Sequence, residues 1–171
     1  MDKPLPSFFL VYPMEQDVLS VADRLTEIDD LEARLMSGVS AREAMQISVR
    51  RSEEMGGLCL VGYVDGRPEL VCGVSRDNLL SDRGQVWMLK TDVTARHPVK
   101  YGKYSKRVLR EFFKVSGCRY LDNWCLAENK RSIRWLKWLG FTFDHDVAMH
   151  GHVWRHFFIT AGDDHGSSSR A

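Results

Sequence analysis

The sequence predicts one α+β domain whose elements follow the order β-α-α-β-β-β-α-β-α-β-β. Three observations predict this class. Short runs of β-branched and aromatic residues alternate with segments in which apolar residues recur at helical spacing. Asp65-Gly66-Arg67-Pro68 joins two strand-like runs as a hairpin turn. The segment after Asn129 carries a helical apolar stripe and ends at Gly140, directly before another strand.

The first half of the chain contains a strand, two helices and a hairpin. Residues 7–12 read as a short strand that ends at a proline. Apolar residues at helical spacing predict one helix over 18–38. A Ser-x-x-Glu capping box opens a second helix over 40–54. Strands at 58–64 and 70–75 then flank the hairpin turn.

The second half alternates strands with helices. Its predicted elements are a strand at 85–91, a helix at 104–115, a strand at 120–126, a helix at 129–139 and strands at 141–146 and 152–160. The domain is therefore expected to span 1–160. Residues 161–171, rich in Gly and Ser, predict a disordered C-terminal tail.

Composition limits the class of protein. A hydrophobic content of 44% and a charged content of 27% in 171 residues are ordinary for a globular domain. No stretch approaches the roughly 20 apolar residues of a membrane span. The N-terminus lacks the layout of a secretion signal. The four cysteines stand singly in apolar runs, which favours reduced core thiols in a cytoplasmic protein over disulfides or a zinc site.

Charge is distributed unevenly although the net charge is only +1. Residues 96–137 carry twelve Lys and Arg against three acidic residues, a net charge of +9. The rest of the chain carries twelve basic and twenty acidic residues, a net charge of −8. The folded protein should therefore have a basic side and an acidic side. Solvated helix faces explain this split as well as an anion-binding surface does, and the candidate anions are cofactor phosphates and a nucleic acid.

Asn129 to Phe141 is the most informative stretch. It reads Asn-Lys-Arg-Ser-Ile-Arg-Trp-Leu-Lys-Trp-Leu-Gly-Phe. Asn129 can cap a helix whose residues Ile133, Leu136 and Leu139 form an apolar stripe. This Asn-x-x-Ser…Leu-Gly-Phe pattern resembles the last signature block of the GCN5-related N-acetyltransferase (GNAT) superfamily.

The resemblance implies a fold and a cofactor site. The order of elements over about residues 7–160 is similar to the GNAT fold, with its mixed, mostly antiparallel sheet. In that family the motif Asn lies beside the acyl-CoA cleft, and a glycine-rich turn binds the pyrophosphate through backbone N–H groups and a helix dipole. The residues that would bind acetyl-CoA here are Lys100, Tyr101, Gly102, Lys103 and Asn129.

The cofactor turn departs from the family pattern, Arg/Gln-x-x-Gly-x-Gly/Ala. Gly102 is the single glycine of the turn, and no register that includes it satisfies the pattern. Pro98 removes one N–H donor. Lys100, Lys103 and Lys106 could bind phosphate by charge, although less specifically than a nest of amides. We expect acetyl-CoA binding to be weak or absent.

The general acid of the family is also missing. Family members commonly use a tyrosine seven residues after the motif Asn to protonate the leaving thiolate. Leu136 occupies that position here and cannot transfer a proton. Tyr101 or Tyr104 could take its place. Asp92 is a candidate general base, although a capping role is favoured for it.

Histidines mark the last strand. His150, His152 and His156 fall on one face if the strand is regular. They could share a metal only with a ligand from another segment, such as His145 or Asp146. We expect no metal site here but an exposed, partly aromatic strand face.

Several short segments resemble a narrower group. They are Asp29–Glu32, Ser40–Met45 with Ser48, Val86–Asp92 followed by His97 and Ser105, Tyr120–Asn123, and Asn129–Phe141. They are similar to the acetyltransferase-like proteins of tailed bacteriophages, a family that includes internal virion protein A of short-tailed phages. This resemblance implies a part in virion assembly, in the host cytoplasm or the capsid interior.

Two hypotheses follow. The first is a catalytically degenerate phage morphogenesis protein that binds DNA or other phage structural proteins, with no cofactor. Its binding surface would be the basic face, which comprises Lys103, Lys106, Arg107, Arg110 and Lys114. On the same helix Tyr104, Val108, Phe112 and Val115 are expected to face the core, and Lys106 and Arg110 to be exposed. The alternative is an acetyl-CoA-dependent N-acyltransferase encoded by a phage.

Overall fold

The computed structural model describes residues 7–162, which form a seven-stranded sheet with helices on both faces. The elements in chain order are β1 (Phe8–Val11), α1 (Glu15–Ala22), α2 (Glu27–Ser37), α3 (Ala41–Glu54), β2 (Leu58–Val64), β3 (Arg67–Arg76), β4 (Arg83–Lys90), α4 (Val93–Arg96), α5 (Pro98–Ser116), β5 (Tyr120–Leu126), α6 (Lys130–Leu139), β6 (Thr142–Met149) and β7 (His152–Thr160). The predicted fold class is confirmed. No helix within 7–162 is long and apolar enough to cross a membrane.

The strands lie in the order β1-β2-β3-β4-β5-β7-β6. Every neighbouring pair is antiparallel except β4 and β5, which are parallel. That parallel pairing covers only Arg83–Gln85 against Tyr120–Asp122. Beyond these residues the two strands diverge, and the sheet opens in its middle.

The core is divided between the two faces of the sheet. One face packs against α1 and α3, with Val21, Met45 and Val71 fully buried. The other packs against α5 and α6 and includes Leu121 and Ile159. The amphipathic pattern of the helices therefore fills a separate apolar layer on each side.

The segment predicted as one helix over 18–38 is two helices. The helical segment is interrupted at Thr26, which is the N-cap of α2. The side chain of Thr26 accepts a hydrogen bond from the backbone N–H of Asp29. Its own backbone N–H donates to the carbonyl of Lys90, which ties the break to the end of β4. The short helix α4 was also not predicted. Both additions depend on contacts with β4 or its following turn, and the apolar spacing of residues 18–38 carries no sign of them.

The predicted helix around Asn129 is confirmed. The side chain of Asn129 accepts a hydrogen bond from the N–H of Ser132, and Gly140 leaves the helix with a φ of 106°. Ile133, Leu136 and Leu139 are all buried. This agreement follows from local chemistry, since cap, stripe and terminal glycine act within one helix.

Two expectations about α5 are wrong. Val115 is 49% exposed, whereas Leu109 and Phe112 are buried. Lys106 is half-buried rather than exposed, and its Nζ lies 4.4 Å from the ring centre of Trp138 on α6. The helix begins six residues earlier than predicted, at Pro98, and its packing against α6 decides which side chains are covered. The predicted tail lies outside the described residues except for 161 and 162.

An ion pair is buried where α2 meets the end of β4. Asp29 is 2% exposed and Lys90 is 8% exposed, and the Nζ of Lys90 lies 3.2 Å from Asp29 Oδ2. The same carboxylate oxygen accepts the backbone N–H of Lys90 at 3.1 Å. The pair therefore holds α2 against the free end of β4.

We expect the Asp29→Asn substitution to lower the free energy of unfolding by about 3–5 kcal/mol, because it leaves a buried ammonium without its counter-charge. Asp29→Asn combined with Lys90→Met should cost less than Asp29→Asn alone, since neither side chain of the pair then carries a charge. Urea unfolding measures both, with Asp30→Asn as the exposed control. A double variant less stable than the single one would contradict this account.

Candidate functional site

The opening between β4 and β5 is the centre of the candidate site. At its closed end the Nδ2 of Asn123 donates to the carbonyl oxygen of Val86 at 2.9 Å, one residue beyond the last parallel pair. The side chain of Asn123 therefore takes the place of the next backbone hydrogen bond between β4 and β5. From this point the strands separate and their facing backbone groups need other partners.

Side chains satisfy the facing N–H groups of β5. The N–H of Trp124 donates to Asn123 Oδ1 at 2.8 Å. The N–H of Leu126 donates to Glu32 Oε1 at 2.8 Å. Glu32 belongs to α2, so a helix from the opposite end of the chain contributes a carboxyl group to the opening.

Backbone groups of β4 remain available in the gap. Val86 and Lys90 turn their backbone polar groups toward β5, as their bonds to Asn123 and Asp29 show. Residues two apart on a strand point the same way, so Met88 also presents its N–H and C=O to the gap. No side chain among residues 7–162 hydrogen-bonds to them.

Glu32 is the most perturbed acid of the site. Its pKa is raised to about 7, chiefly by burial and in smaller part by the nearby charge of Asp29. Hydrogen bonds from the Leu126 N–H and the Asn129 Nδ2, the latter at 3.1 Å, act in the opposite direction, as does the charge of Lys90. A carboxyl group with this pKa can both accept and release a proton near neutral pH.

A cavity of about 270 Å³ runs through the opening. Most of its wall is apolar, and its polar wall groups include Glu32, Asp29 and Lys90. Trp135 also lines it, and the indole Nε1 of Trp135 is the single buried side-chain nitrogen or oxygen within residues 7–162 that lacks a hydrogen-bond partner. A buried donor without an acceptor is costly.

Four of the five predicted cofactor residues lie near the start of α5. Lys100 and Lys103 lie in the first turns of α5, with Lys103 exposed. Tyr101 is buried, and its hydroxyl lies 2.5 Å from the sulfur of Met88. Gly102 is inside the helix, not in a turn, and a Cβ there would lie 2.9 Å from Trp138.

Asn129 is the fifth predicted residue, and it is brought to the opening. It is 4% exposed, caps α6 and donates to Glu32. Its assignment as a cofactor residue stays a prediction, as do those of the other four. Glu32 itself lies within a segment quoted for the phage resemblance, but only its burial against β5 shows its chemical interest.

The candidates for acid and base occupy distinct positions. Leu136 is buried and lines the cavity, and its side chain cannot donate a proton to a ligand. Tyr101 also lines it, and burial raises its pKa. Tyr104 is partly covered by Phe8, with ring centres 4.3 Å apart. Asp92 makes no capping bond and instead pairs with Arg96 at 3.2 Å in an exposed position.

Cys125 also lines the cavity, but burial raises its pKa to about 12. Its thiol is therefore neutral at physiological pH and a poor nucleophile.

The three histidines proposed for one strand face do not meet. His150 lies in the turn between β6 and β7 with a φ of 54°. The Nδ1 of His152 lies 3.0 Å from Glu128 Oε1. Of the three, His156 contacts a side chain of the neighbouring strand β5, since its Nε2 lies 2.9 Å from Asp122 Oδ2.

No protein-family model matches the sequence, and no curated protein matches it. Solved structures do. The chain is similar to the spermidine N-acetyltransferase of Vibrio cholerae in complex with CoA and spermine, with a TM-score of 0.70 and 8% identity over 92% of this chain and 97% of that chain. It is also similar to an acetyltransferase of the GNAT family from Streptococcus pneumoniae, with a TM-score of 0.65 and 10% identity over 90% of this chain and 99% of that chain.

An aminoglycoside acetyltransferase in complex with coenzyme A gives a TM-score of 0.64 and 14% identity, over 92% of this chain and 96% of that chain. The protein has the GNAT fold. Identities this low support the fold and leave the activity to the residues of the site.

Two of these similar structures are in complex with CoA, and the residues of the present site fit one part of that molecule better than another. The gap offers the backbone of Met88 to the amide groups of a pantetheine arm. For the pyrophosphate, α5 is already helical from Pro98, and Trp138 covers Gly102. Lys100 and Lys103 would supply charge in place of a glycine-rich nest.

We expect Glu32→Gln to gain stability over the parent as pH rises. The pKa of Glu32 is higher in the folded than in the unfolded protein, so its favourable contribution is complete below about pH 4.5 and lost by about pH 7. The amide keeps the Oε1 acceptor but does not ionise. The difference in free energy of unfolding should therefore grow by up to about 3 kcal/mol.

Urea unfolding at several pH values measures this difference. Glu27→Gln, on the exposed first turn of the same helix, is the control, and its difference should change less with pH than that of Glu32→Gln. A flat difference for Glu32→Gln would mean that its pKa is ordinary.

Proposed function

We propose that the protein is an acyl-CoA-dependent N-acyltransferase. One observation carries the proposal: the cavity between the diverging strands β4 and β5 holds the carboxyl group of Glu32, whose pKa is about 7. The sequence pattern favoured a degenerate scaffold, because the cofactor turn and the general-acid tyrosine are unmatched. The buried acid supports activity by supplying chemistry that the pattern did not reveal.

In the proposed reaction, different residues bind the cofactor, accept the proton and orient the carboxyl group. Met88 binds the arm of the cofactor through its backbone groups, and Trp135 forms part of the apolar wall around it. Glu32 accepts a proton from the attacking amine. Asn129 and the N–H of Leu126 hold the Glu32 carboxyl through hydrogen bonds of 3.1 and 2.8 Å.

The bound cofactor supplies the acyl thioester. The amine nitrogen forms a bond to the acyl carbon, the carbon–sulfur bond breaks, and the nitrogen loses one proton. Glu32 takes that proton, and the thiolate leaves with the electron pair of the broken bond. Leu136 stands where family members commonly have a tyrosine, and it has no proton to donate. In this proposal solvent therefore protonates the thiolate.

We expect Glu32→Gln to lower kcat/KM by about 100- to 10,000-fold, the usual contribution of a general base. The parent rate should rise with pH through about 7 as Glu32 loses its proton. Release of CoA thiol from acetyl-CoA measures turnover, with spermidine, an aminoglycoside and N-terminal peptides as acceptors.

Two controls separate the causes. Glu27→Gln should keep parental kinetics, and calorimetric titration should give similar acetyl-CoA affinity for Glu32→Gln and the parent. Absence of acetyl-CoA binding to the parent would contradict the proposal as a whole. Binding with turnover that is insensitive to Glu32 would remove only its role as base.

A second candidate function is polyanion binding by the basic face. Four of its residues, Lys103, Arg107, Arg110 and Lys114, are exposed. No residue of the basic face forms an ion pair with a carboxylate within the described part of the chain. The exposed cations Lys130, Arg134 and Lys137 of α6 extend the surface. The resemblance to phage virion proteins belongs to this candidate, and the similar solved structures lend it no support.

Charge reversal tests the second candidate. We expect Arg107→Glu with Arg110→Glu to abolish binding to duplex DNA, whereas Arg50→Glu with Arg51→Glu on α3 should not. With about four phosphate contacts, parental affinity should fall about 100-fold between about 50 and 200 mM salt. Fluorescence anisotropy measures both effects, and affinity that is independent of salt would contradict this candidate. Failure to bind DNA would leave an acidic protein as the partner to test.

A further inference from the structure

A β-bulge on β6 directs two consecutive side chains toward one histidine. The register passes from Phe143 opposite Phe157 to Asp146 opposite Arg155. Two residues of β6, Asp144 and His145, therefore face the single residue His156 of β7. An inserted residue of this kind changes the direction of a side chain, which is a recurrent use of bulges near functional sites.

The three side chains converge. The Nδ1 of His156 lies 2.7 Å from Asp144 Oδ1, and the Nδ1 of His145 lies 2.8 Å from the same oxygen. All three ligand atoms lie within 4.8 Å of one another. Asp144 and His145 are exposed, so an ion can enter from solvent and keep open positions for water.

A fourth side chain orients the central histidine. The Nε2 of His156 lies 2.9 Å from Asp122 Oδ2 on β5. A carboxylate on the far nitrogen fixes the tautomer and directs the near nitrogen at a metal, as in many protein metal sites. Trp124 packs beside both rings, with centres 4.9 Å from His156 and 5.1 Å from His145, and limits their movement.

We propose that Asp144, His145 and His156 bind a divalent transition-metal ion of the zinc class, with Asp122 as the positioning residue. Two imidazoles and one carboxylate are a typical ligand set for Zn²⁺ with an open position. The site is independent of the proposed acyltransferase activity. It differs from the expectation drawn from strand spacing, which grouped His156 with His150 and His152.

The neighbouring groups define the limits of the site. Arg155 binds Asp146 at 3.0 Å on the other side of the bulge, so Asp146 is already paired. His152 lies beside Glu128. These contacts make His152→Ala a matched control, because it removes an imidazole from the same strand without touching the proposed ligands.

Titration of the full chain with Co²⁺, followed by competition with Zn²⁺, tests the proposal. We expect one ion per chain, visible d–d absorption from nitrogen and oxygen ligands, and displacement by Zn²⁺. His145→Ala should weaken binding at least about tenfold, and Asp122→Asn about ten- to a hundredfold although it removes no ligand. His152→Ala should bind like the parent.

The exposed position of His145 makes its alanine variant safe for folding, and circular dichroism checks each variant. Absence of one-to-one Co²⁺ binding in the micromolar range would overturn the proposal. Equal affinity in the parent and His145→Ala, or a loss in His152→Ala as large as in His145→Ala, would show adventitious binding and would also overturn it.

Discussion

The parallel pairing of β4 with β5 stops after three residue pairs, and most of what is chemically interesting in this protein follows from that stop. Two diverging strands leave backbone N–H and C=O groups without ladder partners in the interior, where each must be satisfied. Asn123 bridges the closed end, Asp29 meets the amide of Lys90, and Glu32 meets that of Leu126. The interrupted ladder thus brings polar side chains into the core.

The same interruption explains the electrostatics of the opening. Carboxyl groups brought inside must be paired or must change their pKa. Asp29 is paired with Lys90, and Glu32, without a counter-charge of its own, has a raised pKa. Glu32 is buried because it satisfies the backbone N–H of Leu126, and this burial gives it a pKa suited to proton transfer. The stabilisation that Glu32 contributes to the fold is therefore lost as pH rises.

Two other features stand apart from the opening. The basic face lies on the outer side of α5, where helical periodicity separates cations from the core and solvates them. The cluster around His156 lies near the edge of the sheet and depends on a bulge in β6. Neither feature is part of the cavity wall, although the basic face shares Lys103 with the residues that would contact the cofactor phosphates.

The sequence by itself determined the elements whose signals are local. The cap at Asn129, the hairpin turn predicted over 65–68 and the terminal glycine at Gly140 all act within a few residues. Their elements form close to where they were predicted, although the strand after the hairpin begins at Arg67 and not at residue 70. The order of elements also gave the fold class.

Tertiary structure decided which residues meet. Glu32 lies 94 residues from Leu126 in the chain, and an inserted residue in β6 sets which side chains face His156. Burial of Lys106 depends on a tryptophan of the next helix. Spacing along the chain carries no record of such contacts, because packing and strand register, not local propensity, bring distant groups together.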